Sequence, residues 1–487
     1  MFEQLEIGRP VRAPRGRNAV RTGVIAGVTA AVIGGAAFGG WQLQQFLSGG
    51  GPQPEDVLPA STVAFASIDL DPGAGQKLAA YQLLKKFPDA HVTDQTDLKK
   101  KAWETLDDSS LSHLDYDQDV KPWLGDRFAL AAVPAPGTDD GFTPVAVVQV
   151  TDEDAAATGL EKIAETPTAA PPSEPRLFWA FEDGYALIAD DKSELDAVVA
   201  ADQHLVDQAG FNHDRDSLGG DQVALGWADL GAAWSAAPAD ARKDLTDEWG
   251  RQVNPAGSVI GGVSLTSSSV DLTGHGFAVS LGGPGMTAGL TPGTGLVGTL
   301  PADSDVVLSV SGLGPMLSHA WQAYGEAGDP LDIADEADRL GVRLPDDLEA
   351  LFGSETAVGA HLDDAVSFSA TARTPDPQRG AEVWRILSGT GGDALPPARV
   401  EGDRWIASRS AGTSQTLAHD PGFAAVVPDA DKANVVGYVD IPSVEEWFSN
   451  LFGGEPTPSD TPMRAAGFTI SGDQQQLDVA GRLLIKD

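Results

Sequence analysis

Four aspartates in one short segment have a spacing that resembles a calcium-binding loop. Asp115, Asp117 and Asp119 occupy alternate positions, and Asp126 follows where the last ligand of such a loop would stand. The loop also needs a glycine for its sharp turn, and Val120 occupies that position. Acidic residues at the start of a helix can also be explained by the helix macrodipole. The sequence favours this second explanation and leaves the four aspartates as the candidates for a metal site.

Two further motifs look like functional sites but have the wrong context. Residues 293–298 have the glycine spacing of a dinucleotide-binding loop, but that loop lies between a strand and a helix, whereas here a flexible linker precedes and Pro301 follows. Residues 212–216 place His213 among carboxylates, which is typical of a surface loop or a helix cap, because a metal site needs several ligands. We predict no cofactor at either motif.

Motifs of known catalytic chemistry are absent from the sequence. It has no nucleophile elbow, no metalloprotease helix motif and no phosphate-binding loop with its lysine. A glycosidase, however, needs only two well-placed carboxylates, and the chain has 71 acidic residues. The sequence therefore identifies no catalytic residue. It favours a non-enzymatic protein and leaves an enzyme as the alternative.

The elements that would position functional residues occur twice along the chain. Leu58–Val63 and Leu300–Val306 begin the two copies, and Gly226–Leu230 and Gly437–Ile441 lie late in each. The other landmarks recur in the same order, namely Trp123–Gly125 with Leu351–Gly353, and Gly261–Leu265 with Ala466–Ile470. Landmarks that recur in one order indicate a repeated unit. We therefore predict a duplicated domain.

Strand and helix patterns in the first copy predict an α+β fold. Val63–Leu70 alternates in polarity as a strand does, and Gly75–Phe87 has apolar residues at helical spacing. Asp183 and Gly184 separate two apolar runs, which is the strongest short-range signal for a β-hairpin. Several hairpins with helices between them favour antiparallel or mixed sheets with flanking helices. We expect two tandem related α+β domains of this kind.

The N-terminal segment predicts a membrane anchor before these domains. Five arginines precede residues 22–43, which contain about 20 mostly apolar residues, enough for one transmembrane helix. The basic flank orients residues 1–21 towards the cytoplasm and the bulk of the chain outside. A cleaved signal peptide is the alternative. Small residues at helical spacing in the span could form a homodimer contact, namely Gly23, Gly27, Gly35 and Gly39.

Charge and composition exclude some classes of function. The formal net charge is −39, so the protein repels nucleic acid, and its charge suits cations or basic proteins as neighbours. There is no cysteine, so disulfides do not support the fold of an exported chain. Stability must come from burial of apolar residues, and each copy is long enough for a core.

Two segments resemble a known family. The runs Leu58–Pro72 and Asp119–Asp126 are similar to those of the actinobacterial single-pass membrane proteins of domain-of-unknown-function family 3352. The resemblance covers most of the ectodomain and implies location and organisation, with no catalytic residues to transfer. The second copy lacks equivalents of Pro122 and Trp123, so its function could have diverged.

The predicted organisation leads to a predicted function in the bacterial cell envelope. We expect a membrane-anchored, extracytoplasmic interaction or structural module whose partner is an envelope protein or a wall polymer. The alternatives are an envelope hydrolase that uses carboxylates in a cleft between the two domains, and a cation-binding protein. The predicted segments are a cytoplasmic tail at 1–21, the anchor at 22–43, linkers at 44–57 and 282–299, and the two copies at 58–281 and 300–487.

Overall fold

Strands from both halves of the described chain form one antiparallel sheet. The computed structural model describes residues 51–87, 99–100, 115–138, 141–164, 177–248, 254–280, 291–293, 295–326, 333–362, 366–390, 395–408, 415–452, 462–473 and 475–486. Within these residues the strands of the first half are β1 (Ala64–Asp69), β2 (Leu124–Pro134), β3 (Phe142–Val150), β4 (Phe178–Glu182), β5 (Tyr185–Ala189), β6 (Ala224–Asp229), β7 (Ala256–Leu265) and β8 (Ser269–Ser280). Those of the second half are β9 (Val306–Ser311), β10 (Glu355–His361), β11 (Ser367–Arg373), β12 (Ala398–Glu401), β13 (Arg404–Ser408), β14 (Val435–Asp440), β15 (Met463–Gly472) and β16 (Gln476–Ile485).

The spatial order of the strands repeats. From the centre outwards, the first half runs β8-β7-β6-β1-β2-β3-β5-β4, and the second half runs β16-β15-β14-β9-β10-β11-β13-β12. Each strand of the second half therefore occupies the same place in its half-sheet as the strand numbered eight lower occupies in the first half, for example β16 and β8. The two half-sheets meet where β8 pairs antiparallel with β16.

The predicted fold class of two tandem α+β domains, each with its own sheet, is wrong. The strands join in a single 16-stranded sheet. An unpaired edge strand leaves a row of N–H and C=O groups without partners, and the pairing of β8 with β16 removes two such edges. The domain boundaries given above stay a prediction.

One ion pair and one histidine–aspartate contact join the two halves across the central strand pair. Arg482 on β16 binds Asp271 on β8 through Nε and a terminal nitrogen, at 2.8 and 3.0 Å. His275 Nδ1 lies 2.7 Å from an oxygen of Asp478 on the same two strands. These contacts add side-chain interactions to a main-chain register that runs from Gln476 opposite Phe277 to Leu484 opposite Ser269.

Helices connect the strands and cover the sheet. In the first half they are α1 (Ala74–Leu84), α2 (Glu153–Ala164), α3 (Lys192–Val199), α4 (Ala209–Leu218), α5 (Leu230–Ala236) and α6 (Ala239–Glu248). In the second half they are α7 (Leu313–Glu326), α8 (Ile333–Leu340), α9 (Asp346–Phe352), α10 (Pro377–Thr390), α11 (Pro421–Val426) and α12 (Ile441–Phe452). Aspartate caps recur at equivalent helix starts. Asp229 precedes α5 and Asp440 precedes α12, and each accepts a hydrogen bond from the backbone N–H three residues later.

Each half has its own core on the sheet. In the first, Phe65, Phe211 and Trp227 are buried together. In the second, Val307, Phe423 and Tyr438 occupy the corresponding cluster. Residues 296–299, predicted as part of a linker, instead form a 3-10 helix whose Leu296 and Val297 belong to the second core.

The predicted membrane anchor lies outside the described residues. Residues 22–43, with Gly23, Gly27, Gly35 and Gly39, fall within the first 50 positions, which the structure does not describe. In the part of the chain that it does describe, no helix combines the length and the apolar character needed to cross a bilayer.

Candidate functional site

A polar cleft of about 260 Å³ opens at one end of the core of the first half. Its walls come from the 3-10 helix Pro54–Asp56, the end of β1, the start of α1, the helix α4 and residues 220–225. Five charged side chains line it, namely Glu55, Asp69, Asp71, Arg127 and Arg215, and Asp221 adds a sixth at an exposed position. The cleft lies within the first half, not between the two halves where a cleft was predicted.

Strand pairing places the first ion pair of the cleft. Asp69 and Arg127 stand directly opposite each other on β1 and β2, on the same sheet face as the buried Phe65, because residues two apart share a face. Arg127 Nε donates to Asp69 Oδ2 at 3.1 Å, and a terminal nitrogen donates to the main-chain oxygen of Asp71 at 3.3 Å. Only 4% of the Arg127 side chain is exposed, so this cation is held in place by the carboxylates around it.

A second ion pair joins the 3-10 helix to α4. Arg215 on α4 lies 3.4 Å from Glu55 Oε1, and the Glu55 side chain is only 10% exposed. On the opposite wall Lys77 of α1 is fully buried and contacts the carboxylate of Asp71. The charged groups of the cleft are thus anchored by different elements, and their spacing depends on the packing of those elements against the sheet.

Burial shifts the acid–base behaviour of two carboxyl groups in the cleft. Desolvation raises the pKa of Glu55, although Arg215 acts in the opposite direction. Desolvation likewise raises the pKa of Asp69 despite its hydrogen bond with Arg127. In both cases the positive partners only partly compensate the loss of water around the ionised form. An additional positive charge in the cleft would therefore stabilise both carboxylates.

The second half provides an internal comparison for this cleft. Asp69 and Arg127 face each other across β1 and β2, and the same register in β9 and β10 pairs Ser311 with Glu355. Glu355 accepts a hydrogen bond from the N–H of Leu296 at 2.9 Å and contacts Arg373 at 3.3 Å. The charges at the equivalent place are therefore arranged differently, because Glu355 takes the position of Arg127, binds the main chain and pairs with Arg373 of β11.

The second ion pair of the cleft is replaced by apolar residues. Leu205 N donates to Leu58 O in the first half as Leu417 N donates to Leu300 O in the second, which aligns the segments around these residues. By this alignment Val297 and Val427 take the places of Glu55 and Arg215. Both valines are buried in the core of the second half. The fold is therefore compatible with apolar residues at the positions of Glu55 and Arg215.

The four aspartates predicted as a metal site are engaged in other contacts. Asp115 accepts a hydrogen bond from the N–H of Gln118 and caps the π-helix Tyr116–Val120. Asp117 lies 3.3 Å from both Lys100 and Lys121, and Asp126 lies 3.0 Å from Lys99. Across the described ranges, no three His, Asp or Glu side chains form a group that could hold a metal ion.

Asp119 has a structural counterpart in the second half. Its carboxylate accepts a hydrogen bond from the N–H of Asp115, four residues earlier, at 2.9 Å. Asp347 accepts one from the N–H of Arg343, also four residues earlier, at 2.6 Å. Each is also paired with a cation on the helix that follows the next hairpin, since Asp119 contacts Lys162 of α2 and Asp347 contacts Arg379 of α10. The Asp119 carboxylate thus binds the main chain just before its helix, as the Asp347 carboxylate does in the second half.

The segment 212–216 contributes to the cleft, but not as the surface loop or cap that we predicted. It lies inside α4, where Asp214 is buried and accepts a hydrogen bond from Trp227 Nε1 at 2.8 Å, and Arg215 lines the cleft. Glu55, Asp69 and Arg127 were missed by sequence reasoning. No signal in the sequence marked Asp69, because Ser67 and Asp69 alternate with the apolar Ala66 and Ile68, a pattern that predicts the solvent-exposed face of a strand.

Comparisons with known proteins identify a family but no characterised relative. The sequence model of a family described as "Protein of unknown function (DUF3352)" matches residues 23–336. This match includes every residue of the cleft and continues into the second half as far as α8. No curated protein and no solved structure matches the chain.

Proposed function

Because the chain belongs to the DUF3352 family of proteins of unknown function, we propose a function from the geometry, that of a binding module which holds a small polar ligand in the cleft of its first half. In this proposal the protein is non-enzymatic, and the second half acts as a structural partner that completes the sheet. The single observation that carries the proposal is the contrast between the Glu55–Arg215 ion pair of the cleft and the two buried valines at the equivalent positions of the second half.

The contrast supports binding because buried ion pairs are not needed for stability. Replacing a buried ion pair by apolar residues of similar volume is often neutral or stabilising. The second half has this replacement, with Val297 and Val427 at the positions of Glu55 and Arg215. The fold can do without the Glu55–Arg215 pair, which lines an open cleft, and a ligand that interacts with these charges explains why they are present.

The double substitution Glu55→Val/Arg215→Val tests the proposal, since it copies the second half into the first. We expect the variant to fold with unfolding free energy close to that of the wild-type protein. Small molecules retained by the immobilised wild-type protein from an envelope extract should be lost from the variant, as measured by mass spectrometry. Equal retention by both proteins would refute binding in this cleft.

A carboxylate-based hydrolase is the second candidate, because Glu55 and Asp69 have raised pKa values and share one cleft. A carboxylic acid with a raised pKa can act as a general acid near neutral pH. Turnover of chromogenic glycosides, with loss of activity in Glu55→Gln, would establish this reaction. If retained compounds are recovered chemically unchanged, the binding function is the better description.

We also propose that this module is held at the outer face of the cell membrane, as a single-pass protein of actinobacterial type. The support is the sequence of residues 1–43, with its basic flank and apolar stretch. Protease added to intact spheroplasts should digest residues 51–486 and leave the cytoplasmic tail. Protection of those residues until the cells are lysed would contradict this placement.

A further inference from the structure

The charges of the cleft are not balanced. Four carboxylates line it, from Glu55, Asp69, Asp71 and Asp221, against the two guanidinium groups of Arg127 and Arg215. The buried ammonium group of Lys77 contacts Asp71, so it adds a third cation behind the wall. Among the residues that the structure describes, the cleft and its wall therefore carry one more negative charge than positive charges.

The positive partners are also shared or distant. Arg127 serves both Asp69, at 3.1 Å, and Asp71, whose carboxylate lies 3.9 Å away. Arg215 reaches Glu55 through one contact of 3.4 Å, longer than a strong charge-assisted hydrogen bond. Glu55 and Asp69 consequently have less positive charge nearby than two complete ion pairs would provide.

The size of the cleft limits what can add that charge. Its volume of about 260 Å³ is below the range typical of sites for drug-sized ligands. A metal ion does not fit the lining, because two arginines stand among the carboxylates and the described residues contain no metal-binding group. A small molecule with a cationic group and a few further atoms fits both the charge and the volume.

We propose that the cleft binds a small organic ammonium ion, a primary amine whose charge interacts with the carboxylates of Glu55 and Asp69. The inference rests on the binding function proposed above and names the chemical class of its ligand. The amine can be carried on a ring, as in an amino sugar, or on a flexible chain, as in a diamine or a peptide side chain.

Calorimetric titration of the full chain in detergent micelles tests the inference. The probes are cyclohexylamine and 1,5-diaminopentane, and each is compared with its neutral analogue, cyclohexanol or 1,5-pentanediol, near neutral pH and at physiological ionic strength. The variants are Glu55→Gln and Asp69→Asn. Asp196→Asn on α3 is the matched control, since it removes the same charge from an exposed side chain that pairs with Lys192.

We expect saturable binding of at least one amine, about tenfold weaker in Glu55→Gln and in Asp69→Asn, and unchanged in Asp196→Asn. The control is needed because a protein with a net charge of −39 attracts any cation without a specific site. Preference for the ring or the chain amine then shows which source of the ammonium group the cleft accepts. The comparison of amine with neutral analogue uses only wild-type protein, so it holds even if a variant fails to fold.

Three results would overturn the inference. The first is that neither amine binds, and the second is that an amine and its neutral analogue bind equally. The third is that Asp196→Asn weakens amine binding as much as Glu55→Gln does. The binding function is decided separately, by the loss of retained compounds in Glu55→Val/Arg215→Val. If the amines fail while that loss is observed, the cleft is a binding site for another chemical class. If neither is observed, both proposals are wrong.

Discussion

The pKa of a buried carboxyl group in this protein depends on how closely cationic partners surround it. Asp347 on α9 is 1% exposed and accepts hydrogen bonds from Arg379 and from the main chain of Arg343. These bonds with Arg379 lower the pKa of Asp347 to about 2. In the cleft the partners are fewer and burial dominates, so the pKa of Glu55 is raised. Carboxylates of this protein thus have opposite pKa shifts, downward where cationic partners dominate and upward where burial dominates.

Asp347→Asn should lower the free energy of unfolding by about 2 kcal/mol at neutral pH, the equivalent of a shift from 3.8 to about 2. A depressed pKa gives stability that is present above the unfolded value and is lost as the pH falls through the folded value. The difference between the proteins should therefore shrink between about pH 4 and pH 2 in urea titrations. Asp346→Asn, on the same helix but exposed, is the control. A pH-independent difference would contradict this origin.

Trp227 should be a packing residue and not a ligand contact. It is 1% exposed, packs edge-on against Phe211 at 5.3 Å and donates to the buried Asp214. We expect Trp227→Ala to lower the unfolding free energy by roughly 3–5 kcal/mol. Trp227→Phe should lower it by roughly 1–3 kcal/mol, because Asp214 loses its donor. Denaturant unfolding measures both. Unchanged stability with lost ligand binding would place Trp227 in the site instead.

Local elements could be predicted from the sequence where the signal is local. The hairpin at Asp183 and Gly184 is confirmed, because both residues have positive φ, at 44° and 81°, between β4 and β5. The cleft was not predicted, because Glu55, Asp69 and Arg215 are far apart in sequence and the segment 212–216 carries no signal of the distant residues that Arg215 meets.

Close packing between helices and strands depends on glycines at some contacts. A Cβ atom at Gly380 of α10 would lie 2.2 Å from the main-chain oxygen of Ala350 and 2.5 Å from a ring atom of the buried Trp405. Neither neighbour can move easily, since one is backbone of α9 and the other is a core ring. The glycine therefore sets how closely α10 approaches α9 and β13.

Gly380→Ala should destabilise the protein by roughly 1–3 kcal/mol, because the overpacked contact outweighs the gain in helix propensity. Gly389→Ala in the same helix is the matched control, since nothing lies within 4 Å of the added atom. That control should be neutral or stabilising by up to about 1 kcal/mol. Thermal unfolding measures both variants. Equal changes in stability at Gly380 and Gly389 would show that helix propensity alone, and not the close contact, determines the effect of the substitution.

The joining of the two halves into one sheet could not be predicted from the sequence, although the repeated unit was visible in it. Matching landmarks predicted two copies, and the structure repeats their strand order. The pairing of β8 with β16 has no local signal, because each strand already ends a hairpin with its own neighbour, β7 or β15. Arg482 and Asp271 can be recognised as an ion pair only once the pairing of their two strands is known.

Residues 51–280 produced without the second half should self-associate. Their β8 strand would lose the pairing to β16 and present an open edge, and such edges recruit other strands. We expect light scattering to give a larger average mass, relative to the mass of one chain, for this fragment than for residues 51–487 at the same concentration. A monomeric fragment at the same concentration would show that β8 is protected in another way.

The position of β16 has a consequence for synthesis on the ribosome. Asp271 and its partner Arg482 are 211 positions apart, so β8 emerges well before the strand that covers it. At about 5–20 residues per second, this interval is roughly 10–40 seconds. The middle of the sheet is completed last, while outer strands such as β4 and β5 can form early. A nascent first half must therefore wait with an open edge, and we expect chaperones or export factors to occupy β8 until translation supplies its partner.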